Sequence, residues 1–451
     1  MRIFEALIIL SGFAAIVFAV GRAPGWASSF AIAGFLLLVI HLLVEKGRWQ
    51  MIAAYIACIG LLAYGLLGHD RHSWLMGAIA SVMLLSSAIA AVVLPVFTLP
   101  RPQGPYSIGT VTRHWTAPDS STKADEKSRK LTIQFWYPTE AKSGKRSPYR
   151  TDDAQGLKSH LRLIRTHSWV NVPVASSPGG FPIILFSPGW KGHLTQNTVQ
   201  FEMLASRGYI VLSVEHPPAQ SLPTDFDPSL EENLQGYSVE VGLRARDVLF
   251  VLDRLEAINQ NDPEGLFEGR LDTLHMGMFG YSFGGATTFE ACWLDRRLKA
   301  GINMDGMLFG ESADKGVEQP FLTMSGGGTL PTEQDLQCSD PRRRVHMRAL
   351  DTDMKRIERS LAKHGGYYLR GEGMFHSNFS DRPLYSPVRR LTHAGPIQAK
   401  RAMHIVNEYT LAFFEQYLNE KPEAVLARPS QYPDVQFDRH RVPDFEALEM
   451  A

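Results

Sequence analysis

Four apolar runs, each nearly free of charge, occupy most of the first hundred positions: Ile3 to Val20, Trp26 to Val44, Met51 to Leu67 and Trp74 to Phe97. About 20 apolar residues is what a helix needs to cross the ~30 Å hydrocarbon core of a bilayer, and lipid admits only segments that satisfy their own backbone hydrogen bonds. Residues 1–98 are therefore expected as a four-helix transmembrane region. The connectors are short, and Trp26, Trp49 and Trp74 stand where interfacial aromatics belong. The first run sits where a signal peptide would, but three more spans follow it, so it reads as retained. No span carries a central carboxylate or lysine, which argues against an ion or proton route and hence against a transporter. Gly60, Ala63, Gly77, Ala80 and Ala88 read as positions of close helix packing, and His41 as an interfacial residue without an assigned role. Arg2, Lys46, Arg48 and Arg101 fall on one side of the spans, and Arg22 and Arg71 on the other. The excess of positive charge near the termini orients both of them toward the cytoplasm, along with everything that follows the spans.

The remainder of the 451-residue chain is long enough for a sizeable core of its own. Lys plus Arg equals Asp plus Glu at 46 each, so no net charge points to nucleic acid, and no such partner is expected. Cys58, Cys292 and Cys338 are far apart and lack metal-ligand spacing, so neither a disulfide framework nor a metal site is expected. The proline-rich stretch from Leu99 to Pro105 marks a boundary. It opens a domain over residues 99–425, which leaves 426–451 as a C-terminal tail.

Within that domain, apolar runs of strand length alternate with helical patterns. Tyr106 to Thr112 and Leu131 to Tyr137 read as opening antiparallel strands, with a polar loop from Ala117 to Lys130 between them. Lys142 to Ser176 has no clear period and reads as an insertion or a cap over a site. Pro182 to Ser187 and Tyr209 to Val214 are continuous apolar runs, as expected of strands buried on both faces. Val239 to Ile258 has the apolar stripe of a helix packed on a sheet. Ala300 to Met304, Pro320 to Met324 and Tyr367 to Leu369 read as further strands, and Asp351 to His364 and Ile397 to Leu418 as helices. The alternation argues for an α/β fold, a mostly parallel sheet with helices on both faces.

The most informative stretch is His275 to Gly285, an apolar run that stops in Gly280-Tyr281-Ser282-Phe283-Gly284-Gly285. A serine between a strand and a helix, with glycine two residues away on either side, fits a strained elbow that lifts the hydroxyl above the sheet edge and sets it beside the free N–H groups of a helix. A serine nucleophile needs a histidine base, which a carboxylate in turn orients, in the chain order Ser, acid, His. Asp305 ends the next strand, and His376 lies in a glycine-entered loop after the last one, so these two are the candidate acid and base. Glu333 and Asp335 form an alternative acid site, and Asp295 is expected to point away. His193 and His216 precede the serine and are expected to line the pocket. His346, His364, His393, His404 and His440 read as solvated or packed. Pro188-Gly189-Trp190 turns after a buried strand and makes the Trp190 N–H a candidate oxyanion donor.

These motifs resemble the plasma-type platelet-activating factor acetylhydrolases of the α/β-hydrolase superfamily. The resemblance extends over most of Pro102 to Leu418. Besides the elbow it takes in Asp305 in Asn-Met-Asp-Gly, His376 in Phe-His-Ser-Asn-Phe, the entry Gly104 to Gly109, Trp136-Tyr137-Pro138, Phe186 to Trp190, and Val214-Glu215-His216. It implies Ser282 as nucleophile, Asp305 as orienting acid and His376 as base, with Trp190 and Phe283 supplying oxyanion N–H groups, and no metal or cofactor. It also implies hydrolysis of short or oxidised sn-2 acyl groups of phospholipids. A general carboxylesterase of small or lipophilic esters is the near alternative, and a silent membrane scaffold or sensor is the rival from another class. Pro188 stands where that family usually carries histidine, and Trp190 is bulkier than the aliphatic residue common there. The combined expectation is a multi-pass protein of a bacterial inner membrane that acts on lipid or small esters.

Overall fold

A computed structural model describes residues 1–67, 73–117, 129–150, 155–217, 222–223, 226–227, 229, 231–328 and 330–440. The chain forms two compact units: Met1–Leu99 with Pro148–Thr166 and Leu384–Thr392, and the remainder from Pro100.

The first unit holds α1 (Ile3–Val20), α2 (Pro24–Val44), α3 (Ile52–Leu67, after a short 3-10 turn at Trp49–Met51) and α4 (Ser73–Val93). All four spans are long and apolar enough to cross a membrane. Their interior is built from Ile16, Ala31, Met51, Ala54 and Leu84, while Leu10, Val17, Leu43, Leu67 and Val82 face outward. An apolar outer surface of this kind is not what water selects. Small residues permit the close approach: a Cβ on Gly77 would stand 3.1 Å from Ile16, whereas Gly60 faces open space. Serines bond across the bundle at several levels, but its buried ionisable groups are gathered at one end. Glu5, in the first turn of α1, is fully buried and takes two hydrogen bonds of 2.7 Å from Arg48. His41 is likewise buried there among the helices, and bridges Tyr55 (2.7 Å) and Glu45 (3.0 Å).

The insertion expected as a cap over a site divides differently. Residues 148–166 cluster with the helices, because the Trp49 indole donates to the Leu157 carbonyl and Tyr149 packs its ring against Phe97 and Tyr385.

The second unit is built on a sheet of eleven strands among the described residues: β1 (Ser107–Ala117), β2 (Arg129–Thr139), β3 (Arg146–Pro148), β4 (Arg165–Val170), β5 (Phe181–Ser187), β6 (Ile210–Glu215), β7 (Leu271–Tyr281), β8 (Leu298–Met304), β9 (Phe321–Gly326), β10 (Gly366–Gly371) and β11 (Val435–His440). The order is β11-β10-β9-β8-β7-β5-β6-β2-β1-β4-β3. The six strands from β10 to β6 run parallel, and β1, β2 and β11 pair antiparallel. The opening strands are longer than expected, and β2 runs on to Thr139 because Pro138 pairs with Ile108 without ending the ladder. Most of the loop expected between them lies outside the described residues. The expected tail contributes β11, since Phe437 stacks on Tyr367 and packs on Tyr409.

Alternation along each strand feeds two cores. Ile183 and Leu185 point to one face, with Val248, Leu252 and Leu255 of α6 (Glu231–Gln260) and Phe289 of α7 (Phe283–Leu294). Ile184 and Phe186 point to the other, with Phe201 of α5 (Thr198–Ser206) and Tyr409 and Phe413 of the helix Ala399–Leu418. That is why the Ile-Ile-Leu-Phe run has no polar member: both faces are dry, and truncating a ring such as Phe186 would cost about 3–5 kcal/mol. The parallel arrangement sends the C-terminal ends of β5, β7, β8, β9 and β10 to one edge, where such sheets carry their ligands.

Candidate active site

Ser282 sits between β7 and α7 with φ 57° and ψ −124°, a left-handed conformation that side-chain-bearing residues rarely adopt and that persists only where surroundings enforce it. The enforcement is local. Ser282 N donates to the Met304 carbonyl at the end of β8 (2.8 Å). A Cβ on Gly280 would be driven into the Gly284 carbonyl, and one on Gly284 into the carbonyl of Ser187. The two glycines are therefore required by close backbone approach.

Asp305 follows β8, also at positive φ. Its N–H reaches the Met324 carbonyl (2.7 Å), and its Oδ1 accepts from Gly326 N (2.8 Å), tying the carboxylate to the end of β9. His376 opens a 3-10 turn after β10. Its Nδ1 lies 2.6 Å from Asp305 Oδ2 and its Nε2 2.9 Å from Ser282 Oγ. Because an ionised carboxylate only accepts, Nδ1 carries the proton and Nε2 is left to accept from the serine hydroxyl. The Asp305 side chain is 6 % exposed and that of His376 45 %, so the carboxylate is dry and the imidazole faces the opening. The Tyr281 ring lies 4.8 Å from the imidazole and helps hold its plane.

Two asparagines brace this arrangement. Asn303 Nδ2 donates to the Gly306 carbonyl (2.8 Å) while its Oδ1 accepts from Gly306 N (2.9 Å), closing the turn that carries Asp305. Asn378 Oδ1 accepts from Phe375 N (2.9 Å) and Gly395 N (2.7 Å), fixing the His376 turn. Both asparagines lie within motifs quoted above, yet a local spacing does not reveal that their partners close these turns. The rival acids have other partners: Asp335, although it lines the same cavity as Ser282, caps its own short helix and pairs with Arg343 (2.7 Å), and Asp295 pairs with Arg297 (2.7 Å).

The Pro188-Gly189-Trp190 turn abuts the serine; a Cβ on Gly189 would stand 3.2 Å from Ser282 Cβ. Gly189 N is held by Gln196 Oε1 (3.0 Å), and the next N–H belongs to Trp190. Phe283 N is the first of α7, among the amides that a helix leaves without an internal partner and that carry its positive end. The Trp190 ring meets the edge of Phe283 at 5.0 Å and of Tyr237 at 5.3 Å, so its bulk goes into an aromatic wall beside the elbow.

A cavity of about 380 Å³ opens at Ser282 and His376. Its walls include Phe226, Met307, Phe309, Leu350 and Met354, with Arg343 and His346 among the polar lining groups, so His346 belongs to the cavity instead of being merely solvated or packed. Asp353 also lines it. Burial pushes this carboxyl up to about 7, although its Oδ1 accepts from Leu308 N at 2.8 Å. A larger cavity, about 600 Å³, lies by Trp190, Lys191 and His216 and does not include Ser282. As for a metal, one group of three among the described residues, Glu5, His41 and Glu45, brings ligand-type atoms within 4.8 Å. Arg48 and Arg2 already occupy Glu5, which disfavours a cation there.

The sequence profile of the family described as platelet-activating factor acetylhydrolase, isoform II, matches residues 241–427, a span that contains Ser282, Asp305 and His376. A probable 1-alkyl-2-acetylglycerophosphocholine esterase of Arthroderma benhamiae is 25% identical, covering 78% of this chain and 97% of that protein. The platelet-activating factor acetylhydrolase of Cavia porcellus is 23% identical over 71% of this chain and 78% of its own length. Among solved structures, a ferulic acid esterase from Streptomyces cinnamoneus superposes with a TM-score of 0.60 at 26% identity, covering 76% of this chain and 99% of that one.

Proposed function

In this carboxylic ester hydrolase of the platelet-activating factor acetylhydrolase-like family, we propose, Ser282 is the nucleophile, His376 the general base and Asp305 the carboxylate that orients it. The observation that carries the reading is the continuous chain from Asp305 through His376 to a serine held at positive φ. His376 Nε2 takes the Ser282 proton as Oγ attacks the ester carbonyl, and the negative charge that forms on the carbonyl oxygen is met by the Trp190 and Phe283 N–H groups. His376 then hands the proton to the departing alcohol. Water, deprotonated by the same nitrogen, releases the acid and restores the serine. Each step needs the base open to substrate and the acid dry, which matches their exposures.

The substrate we favour is a phospholipid with a short or oxidised sn-2 acyl group. The apolar walls and modest volume of the cavity suit a short acyl chain, and two of the relatives are named for cleaving an acetyl ester of this class. The four apolar helices are read as a membrane anchor, with the hydrolase unit on the cytoplasmic face, where it meets lipid esters without their leaving the bilayer. A panel of esters given to purified protein tests this, from short nitrophenyl esters to phospholipids with short and long sn-2 chains. The expected result is a preference for short sn-2 chains on phospholipid; turnover confined to water-soluble esters would defeat the phospholipid proposal and leave a general carboxylesterase.

A further inference from the structure

The same sheet edge carries a second serine–histidine–aspartate chain. Ser187, the last residue of β5, has its Oγ 3.1 Å from His216 Nε2, and His216 Nδ1 lies 2.9 Å from Asp247 Oδ2 on α6. Arg129, the first residue of β2, closes the series with two hydrogen bonds of 2.8 Å to the Asp247 carboxylate. Ser187 is fully buried, and the His216 and Asp247 side chains are 1 % and 2 % exposed. A serine with no access to substrate is no nucleophile, so this chain does not make a second active site.

Its position gives it another use. Ser187 is followed directly by Pro188, Gly189 and Trp190. Three successive residues ahead of the Trp190 N–H are each held by a side chain from a different part of the fold: the Ser187 hydroxyl by His216, the Pro188 carbonyl by Arg244 (3.3 Å), and the Gly189 N–H by Gln196 (3.0 Å). The Ser187 carbonyl meanwhile lies against Gly284 of the elbow helix. With Asp247 accepting a hydrogen bond from Nδ1–H, His216 Nε2 is an acceptor, and the Ser187 O–H has one fixed direction in which to point. An oxyanion donor must sit within a few tenths of an ångström of its place to be worth its usual 10²–10³ in rate.

We propose that Ser187, His216 and Asp247, anchored by Arg129, are positioning residues that set the Trp190 N–H against the oxygen on which charge develops. The inference rests on the assignment of Ser282 and the Trp190 N–H above. Ser187 acts through the backbone, His216 through Ser187, and none of them touches substrate.

The test is Ser187→Ala in the full-length protein, with every rate divided by the concentration of sites titrated in a fluorophosphonate burst, so that unfolded molecules drop out. We expect kcat to fall roughly 10-fold, a fraction of a full donor loss, with KM unchanged. The inhibition constant of a trifluoromethyl ketone, whose adduct carries the oxyanion, should weaken by the same factor. Ser187→Cys, similar in size and a weak donor, should fall between the two. Wild-type kcat per titrated site, or ketone binding that does not follow kcat, would overturn the proposal and leave the chain a purely structural one. Ser282→Ala is run in parallel: if it keeps activity and labelling, the parent assignment fails, whereas a dead Ser282→Ala beside an unaffected Ser187→Ala sinks this inference alone.

Discussion

Two serine–histidine–aspartate chains lie within one sheet edge of this molecule, with nearly the same bond lengths and different surroundings. The Oγ to Nε2 distances are 2.9 Å for Ser282 and 3.1 Å for Ser187, and the Nδ1 to carboxylate distances are 2.6 and 2.9 Å. What separates them is backbone and solvent. Ser282 stands at positive φ on an elbow facing a cavity, with a half-open histidine and a helix N-terminus alongside. Ser187 ends an ordinary strand in the core, and its aspartate is occupied by Arg129. Burial also holds His216 down at about 4, against an ordinary 6.5, so it stays neutral, whereas the role proposed for His376 has it take up a proton in turn. A triad is thus made by access, strain and a place for the developing charge, more than by three residue types in contact.

Substituting each aspartate in turn should break the likeness most sharply. Asp305→Asn leaves the fold intact but presents an N–H to His376, reversing its tautomer; kcat should drop by about 10³–10⁴ with little change in Tm. Asp247→Asn should do the opposite. It leaves the buried His216 and the partly buried Arg129 without their carboxylate, at a cost of roughly 3–5 kcal/mol in unfolding free energy, while kcat per titrated site changes far less than in Asp305→Asn. Urea unfolding beside steady-state kinetics reads both, and matching profiles for the two variants would erase the distinction.

A smaller effect is expected from acid. The folded state disfavours charged His216, so its pKa lies below the unfolded value. The stability this residue contributes is present above pH 6.5 and is lost as pH falls toward about 4, because the unfolded chain takes up the proton first. The Tm gap between wild type and His216→Gln should therefore narrow from pH 7 to pH 4. A gap independent of pH would mean that His216 is not held neutral.

The legibility of the sequence follows the same divide. The elbow could be read because glycine at 280 and 284 is demanded by local backbone crowding, and the strands because two-sided burial leaves runs with no polar residue. Asp305 and His376 were within reach since strand ends in a parallel sheet share one edge. The second chain was not, as Ser187, His216 and Asp247 come from three elements and meet through no fixed spacing; His216 read as pocket lining and does border the larger cavity, but its bonds on both ring nitrogens could not be foreseen. Residues 148–166 carry no period, and it takes contacts such as those of the Leu157 carbonyl with Trp49 and of the Tyr149 ring with Phe97 to reveal that they pack with the N-terminal segment. Strand β11 was missed because its short polar-alternating run resembles a tail until Tyr367 and Tyr409 are placed beneath it.

If access and strain, and not the residue set, choose the nucleophile, Ser282 alone of the two serines reacts with a small electrophile. Peptide mapping after treatment of the purified protein with a fluorophosphonate tests it most directly. The account predicts one stoichiometric adduct on the peptide bearing Ser282, lost in His376→Ala, and none on the peptide bearing Ser187. An adduct on Ser187, or labelling that persists in Ser282→Ala, would contradict it.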